Sequence, residues 1–236
     1  KELVVQSLHN ESHRKDKPFI AQNCAAIPGT LFESMLFGTA LGSFTGAKDS
    51  KGLIEAANGG TLFLDEIDSM DITLQAKLLR FLQEGQIRRL GENKTYYVDV
   101  RVVAAMNKAP LDAIAEGSLR SDLFYRLNAI SFSLVPLRKN KGDLMELSNY
   151  FLNYFNNELN KNITGFSGEV LSFMKKYDWP GNVRELRHLI EHAINITEGD
   201  IITEKDLPEY IKLKNQKTEY CDDEEIDYDE NISSTP

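Results

Sequence analysis

Short apolar runs in the first part of the chain predict the strands of a buried sheet. They lie near residues 18–23, 60–64, 100–106 and 129–133. A run of four apolar residues, 61–64, follows Gly59 and Gly60, which is typical of a strand buried on both faces of a parallel sheet. The other apolar runs are also short, and we expect one parallel sheet flanked by helices.

A helical period replaces the apolar runs elsewhere. Residues 69–84 predict a helix with one broad apolar face, and a hairpin is predicted near 88–97. From about residue 141 the pattern becomes wholly helical. Its last long helix carries an apolar stripe, formed by Val183, Leu186, Leu189, Ile190, Ala193 and Ile194.

Composition and charge divide the chain further. We expect an α/β subdomain over residues 1–138, a helical subdomain over 139–212 and an acidic, disordered linker over 213–236. The last segment holds eight acidic residues and two lysines after residue 213, whereas the whole chain has a net charge of −9. This charge argues against direct nucleic-acid binding over most of the surface. Two cysteines give no disulfide framework, and no apolar stretch is long enough to cross a membrane, so we expect a cytoplasmic protein.

Two adjacent carboxylates, Asp65 and Glu66, follow the buried run 61–64. Open α/β sheets bind ligands at the carboxyl ends of their strands. Asp65 can hold Mg²⁺ through oxygen ligands, and Glu66 can orient and deprotonate a water that attacks a γ-phosphate. The alternative is that the pair only caps the next helix. Four apolar residues ending in Asp-Glu favour a nucleotide hydrolase.

A second unusual segment, GSFTGA, precedes this strand at residues 42–47. The two glycines permit a sharply bent loop, with an apolar ring at its tip that is a candidate contact for another protein. The alternative is a surface turn whose ring folds back onto the protein. The candidate contact residues are Gly42, Ser43, Phe44, Thr45, Gly46 and Ala47.

Together these two motifs resemble the sigma-54-dependent transcriptional activators, the bacterial enhancer-binding proteins. The loop resembles their GAFTGA signature, with Ser43 in place of the first alanine, and 61–66 resembles their Walker B motif. The resemblance covers roughly residues 1–210. It implies an AAA+ P-loop NTPase fold with a helical lid, ATP and Mg²⁺ as cofactors, and a hexameric or heptameric ring. It also implies remodelling of the sigma-54 RNA polymerase closed complex, with promoter DNA bound mainly by a helix-turn-helix domain that this chain lacks.

The first residue of the chain, Lys1, matches the P-loop lysine of that family, which reaches the β- and γ-phosphates. The loop glycines and the strand that should precede it are absent, so we expect weak ATP binding by this chain alone. The family topology makes that strand central, so its neighbours should show a gap. The alternative is that Lys1 merely begins an amphipathic helix.

The resemblance assigns further roles by position. Asn23 matches the switch residue that hydrogen-bonds the Walker B glutamate, and Asn107 matches sensor I. Arg120 and Arg126 match the arginine fingers that reach a neighbouring subunit's ATP, and Arg184 matches sensor II. Without the family, each asparagine is an ordinary strand-end residue and each arginine an ordinary solvated side chain.

The sequence also leaves open two alternative functions. His188 and His192 fit the zinc-peptidase pattern H-x-x-E-H, but both point away from the apolar stripe, which indicates a solvated helix face. The second alternative is a different AAA+ remodeller, or a nucleotide-switched binding module, that does not act on sigma-54. Glu66 argues for hydrolysis and the loop argues for the sigma-54 branch.

Overall fold

The computed structural model describes residues 1–43 and 47–211, in which the chain forms two units, one ending at Ser133 and the other beginning at Leu134. Phe44, Thr45 and Gly46 lie outside the described residues, as does the predicted linker 213–236. The predicted end of the α/β subdomain, at residue 138, falls in the 3-10 helix Leu137–Lys139.

The first unit alternates helices and strands. Its helices are α1 (Glu2–Asn10), α2 (Gly29–Phe37), α3 (Leu53–Ala56), α4 (Ile72–Glu84), α5 (Pro110–Ala115) and α6 (Ser121–Leu127). Its strands are β1 (Phe19–Asn23), β2 (Gly38–Thr39), β3 (Ser50–Lys51), β4 (Thr61–Asp65), β5 (Gln86–Arg88), β6 (Thr95–Tyr97) and β7 (Arg101–Ala104). The helix predicted over 69–84 and the hairpin near 88–97 are confirmed as α4 and the antiparallel pair β5–β6.

A parallel sheet in the order β1–β4–β7 forms the centre of this unit. Leu62, Phe63 and Leu64 of β4 are fully buried, as their apolar run predicts. The register places Asn23 opposite Asp65, so these two polar residues share one edge of the sheet. Gly60 precedes β4 because a Cβ there would lie 2.0 Å from the carbonyl oxygen of Pro18. Three predicted strands are therefore confirmed.

The fourth predicted strand, at 129–133, is wrong. These residues have no regular secondary structure, and Ile130 is 90% and Phe132 59% exposed. In the described part of the chain β1 and β7 are the edge strands of the parallel sheet, and neither pairs with this segment. An extended segment without a partner leaves its backbone groups to water, so apolar composition alone does not make a strand.

The second unit is built on three helices, α7 (Lys141–Leu159), α8 (Gly168–Lys176) and α9 (Asn182–Ile196). Five of the six predicted stripe residues are buried, whereas Val183, in the first turn of α9, is 40% exposed. The unit is not wholly helical, because β8 (Gly165–Phe166) pairs in parallel with β9 (Ile201–Ile202). Within the described ranges, no helix combines the length and the apolar character that a membrane span requires.

Candidate functional site

The carboxyl end of β4 carries the predicted acidic pair at a sharp bend. Asp65 ends the strand, and its Oδ1 accepts a hydrogen bond of 3.1 Å from the backbone N–H of Glu66. Glu66 has φ 55° and ψ 50°, the left-handed region that non-glycine residues adopt at a cost of about 1–3 kcal/mol. Backbone bonds from Ile67 N–H to Ala105 O and from Ala105 N–H to Leu64 O, 3.1 and 2.9 Å long, hold the bend. The backbone that carries the two carboxylates is thus held in place at the strand end.

Asn23 ends the neighbouring strand β1, in register with Asp65. Its Oδ1 accepts a 2.8 Å hydrogen bond from Ala25 N–H, and the next residue, Cys24, donates its N–H to Asp65 O over 2.9 Å. Asn23 and Glu66 both lie in the described part of the chain, and no hydrogen bond joins their side chains in this structure. The structure brings the predicted switch residue to the acidic strand end without the predicted contact.

The negative charge at this strand end affects the pKa of the Cys24 thiol. The thiol is buried, and burial together with the carboxylates of Asp65, Asp68 and Glu66 raises its pKa from 9.0 to about 12. Burial makes the larger contribution, and the carboxylates add to it because a thiolate beside them would meet like charge. Negative charge is therefore concentrated where a divalent cation would bind.

Lys1 and Asn107 lie together although they are far apart in sequence. The Lys1 ammonium donates to the carbonyl oxygen of Met106 over 2.6 Å and to Oδ1 of Asn107. Met106 and Asn107 follow β7, so the lysine reaches the end of the strand next to β4. Two groups that the sequence predicts to contact phosphate are thus adjacent, and they are hydrogen-bonded to each other in this structure.

The predicted arginine fingers lie around α6, and their side chains bind this chain itself. Nε and one terminal nitrogen of Arg120 donate to the two carboxylate oxygens of Asp122, over 3.0 and 2.7 Å. This pair raises the pKa of Arg120 and lowers that of Asp122. Arg126 donates to the carbonyl oxygen of Leu82 over 3.2 and 2.7 Å. Neither guanidinium contacts Asp65 or Glu66, which are described residues of the same unit.

The base of the GSFTGA loop is held by a residue that the sequence analysis did not single out. Arg89 is 8% exposed and donates to both carboxylate oxygens of Glu55, over 3.0 and 2.8 Å, and to Asp49 over 2.9 Å. Its guanidinium also lies 4.7 Å from the ring centre of Tyr96. These partners are distant in sequence, so no local pattern reveals them. Gly42 is exposed, Ser43 is half-buried and Ala47 is buried.

In the second unit, Arg184 lies in the first turn of α9 and is exposed. The residues around it fix the start of this helix. Glu185 accepts 2.8 Å and 2.9 Å hydrogen bonds from Gly181 N–H and from the Tyr177 hydroxyl, and Asn182 Oδ1 accepts from Leu137 N–H over 3.0 Å. The turn before α9 is therefore rigid, and it presents Arg184 to solvent.

His188 and His192 are both exposed on α9. Among residues 1–43 and 47–211, no group of three or more histidine, cysteine, aspartate or glutamate side chains has the arrangement of a metal site. The carboxylate of Asp65, with hard oxygen atoms beside a region of negative charge, is the group that suits a hydrated Mg²⁺.

Comparisons with known proteins agree with this geometry. The family model described as the sigma-54 interaction domain matches residues 1–133, and that of an AAA+ ATPase lid domain matches residues 138–223. The chain is 50% identical over 215 residues to the transcriptional activator RocR of Bacillus subtilis, covering 91% of this chain and 47% of that protein. It is 46% identical over 213 residues to the regulatory protein AtoC of Escherichia coli, covering 90% of this chain and 46% of that protein. The chain thus spans about half the length of these relatives.

Among solved structures, NtrX of Brucella abortus in complex with ADP superimposes with a TM-score of 0.82 at 32% identity, covering 89% of this chain and 47% of that one. An ATP complex of NtrX matches with the same TM-score of 0.82. Hsp104, in a closed-state reconstruction, matches with a TM-score of 0.58 at 17% identity, which bears on the fold alone. The predicted α/β AAA+ fold with a lid is confirmed.

Proposed function

Because the chain belongs to the sigma-54 interaction domain family of AAA+ ATPases, we propose that it is the ATP-hydrolysing module of a transcription activator. In this proposal, hydrolysis remodels the closed complex of sigma-54 RNA polymerase into an open promoter complex. The observation that carries the proposal is the register of β1 and β4, which sets Asn23 beside the acidic pair at one sheet edge. Its nucleotide-bound relative NtrX supports ATP as the substrate.

Hydrolysis uses three groups of this subunit. Lys1, whose ammonium already lies beside Asn107, contacts the β- and γ-phosphates. Asp65 holds Mg²⁺, which when bound neutralises charge on the phosphates. Glu66, which follows Asp65 at the bend after β4, orients the attacking water and accepts its proton.

Three further residues report the state of the nucleotide. Asn107 exchanges its contact with Lys1 for one with the γ-phosphate or the attacking water. Asn23 exchanges its local bond to Ala25 N–H for one with the Glu66 carboxylate, and so acts as the switch. Arg184, which the rigid turn before α9 leaves exposed, contacts the phosphates when the lid closes.

Arg120 and Arg126 complete the site of a neighbouring subunit in a hexameric or heptameric ring. Their exposed guanidinium groups are held on this chain only by Asp122 and a backbone carbonyl. Contact with a neighbour's nucleotide replaces these partners by phosphate oxygens, which carry more charge and stabilise the transition state. The ring is therefore part of the catalytic site.

The loop Gly42–Ala47 delivers the output by contacting sigma-54. Its base is tied through Asp49 and Arg89 to the hairpin β5–β6, so a movement of the hairpin moves the loop. Promoter DNA is bound mainly by a helix-turn-helix domain of the same activator, in keeping with the net charge of −9 on this chain.

The test is a promoter-opening reaction with the complete gene product, sigma-54 RNA polymerase and ATP. We expect heparin-resistant open complexes with ATP and none with a non-hydrolysable analogue. A product that hydrolyses ATP but opens no sigma-54 promoter would instead be another AAA+ remodeller or a nucleotide-switched binding module.

A further inference from the structure

Gln75 is a fully buried polar side chain in the middle of the first unit. It lies on α4 with 0% exposure and makes three hydrogen bonds. Its Nε2 donates to Met70 O over 2.9 Å and to Ser118 O over 2.8 Å, and its Oε1 accepts from the backbone N–H of Arg120 over 2.9 Å. Both donors and the acceptor of the amide are engaged, so its orientation is fixed.

These three bonds join two segments that the proposed mechanism uses. Met70 follows the 3-10 helix Ile67–Ser69, which begins directly after the acidic pair. Ser118 and Arg120 flank the buried Leu119 and form the connection between α5 and α6. Gln75 therefore ties the segment after the acidic pair to the backbone from which an arginine finger projects.

The root and the tip of Arg120 are held in different ways. Its backbone N–H bonds the buried amide of Gln75, whereas its side chain is 37% exposed and bonds Asp122 at the surface. Exposed ion pairs contribute little to stability because solvent screens them, so the tip can exchange partners. A buried hydrogen bond is more costly to break, because the group that loses its partner stays unsatisfied.

We propose that Gln75 is a positioning residue for Arg120: it fixes the root of the finger so that its tip reaches the neighbouring subunit's nucleotide. This rests on the proposed function, in which Arg120 acts on ATP in the adjacent subunit. An apolar side chain of the same size fills the space on α4 equally well, but leaves Arg120 N–H and two carbonyls unpaired. The connection between α5 and α6 then moves, and the finger loses its aim.

The experiment compares Gln75→Met, Arg120→Ala and the double variant in the complete gene product, by steady-state ATP hydrolysis. Because a misplacement of about 1 Å can lower a rate about a hundredfold, we expect Gln75→Met to lower kcat by about that factor, with little change in KM. The double variant should be no slower than Arg120→Ala alone. Effects that multiply in the double variant would overturn the inference, because Gln75 would then act independently of the finger.

Ser148→Ala is the control. Ser148 is also fully buried, but it lies on α7 in the second unit, where its hydroxyl donates to Leu144 O over 2.6 Å. Losing this hydrogen bond should lower the thermal unfolding temperature and leave kcat unchanged. Loss of kcat in Ser148→Ala as large as in Gln75→Met would mean that any buried polar deletion disables the enzyme, and would also overturn the inference.

A second variant keeps the test decisive if Gln75→Met does not assemble. Gln75→Glu keeps the acceptor for Arg120 N–H and, while protonated, supplies one donor. Burial raises the pKa of such a carboxyl group, so its kcat relative to wild type should fall between about pH 6 and about pH 9 as it ionises. A flat ratio contradicts the inference. If Arg120→Ala itself keeps full kcat, the role of this finger in the proposed function fails, whatever Gln75 does.

Discussion

The end of β4 and the surroundings of α6 both carry residues that we assign to ATP hydrolysis, but the chain holds them differently. Asp65 and Glu66 are set by sheet register and a backbone bend, and their orientation needs nothing outside the subunit. Arg120 and Arg126 have fixed roots and exposed tips, with Asp122 and the Leu82 carbonyl as their partners.

In the proposed function, this difference separates a half-site that is complete within one subunit from one that needs a neighbour. The backbone at a strand end cannot move without disturbing the sheet, whereas a guanidinium on a surface ion pair can change partners at little cost. The comparison predicts that variants of the two regions fail separately and complement each other.

The largest effect should come from Glu66→Gln in the complete gene product. The amide cannot accept a proton, and general-base catalysis contributes roughly 10²–10⁴-fold, so we expect kcat to fall by about a thousandfold. Equilibrium binding of ATP should change little, because the phosphate contacts remain. If Glu66→Gln hydrolyses ATP within a factor of about ten of the wild-type rate, the general base is another residue.

Arg126→Ala should lower hydrolysis by about a thousandfold when every subunit carries it. The sharper measurement mixes this variant with Glu66→Gln. Each is inactive alone, but a mixed ring has sites in which an intact Glu66 faces an intact Arg126 from the next subunit. Recovered hydrolysis in the mixture supports action between subunits, and a mixture as inactive as its parts breaks the comparison.

The sequence predicts the polar strand ends at Asn23 and Asp65 better than it predicts the contacts of the arginine side chains. Each of these strands and the polar residue that ends it, Asn23 or Asp65, lie within a few consecutive residues. A local sequence pattern is therefore enough to predict both. The partners of Arg89, on the other hand, lie 34 and 40 positions away, and only the fold brings them together. The same limit explains the wrong strand at 129–133, because strand pairing depends on which segments the fold brings side by side. Gln75 looks like any polar residue of an amphipathic helix.

Asp122→Asn tests whether the surface ion pair with Asp122 holds Arg120 in its active position. Because solvent screens this exposed ion pair, its loss frees Arg120 at little cost, and we expect kcat to change by less than about fivefold. Thermal unfolding should be nearly unchanged. Loss of hydrolysis as complete as in Arg120→Ala would show that Asp122 holds the finger in its active position.

The smallest effect concerns Cys24, a probe of the negative charge at the strand end. Its raised pKa, about 12 against 9.0, means that the folded protein holds the thiol proton more tightly than the unfolded chain. The stability this provides is fully present below pH 9.0 and is lost as the pH rises towards 12. In a Cys221→Ala background, Asp65→Asn should speed the alkylation of Cys24, since one carboxylate that disfavours the thiolate is gone. Asp122→Asn, the control, should not.

In the proposed function, the nucleotide site drives a contact between the GSFTGA loop and sigma-54. The direct measurement is binding of purified sigma-54 to the complete gene product trapped with a transition-state analogue of ATP, for wild type and for Phe44→Ala. We predict a stable complex with wild type, none with the variant, and near-normal ATP hydrolysis by both. Failure of the trapped wild type to bind sigma-54 would contradict the account. Joint loss of binding and hydrolysis in Phe44→Ala would also contradict it, because the ring would then serve the core instead of the partner.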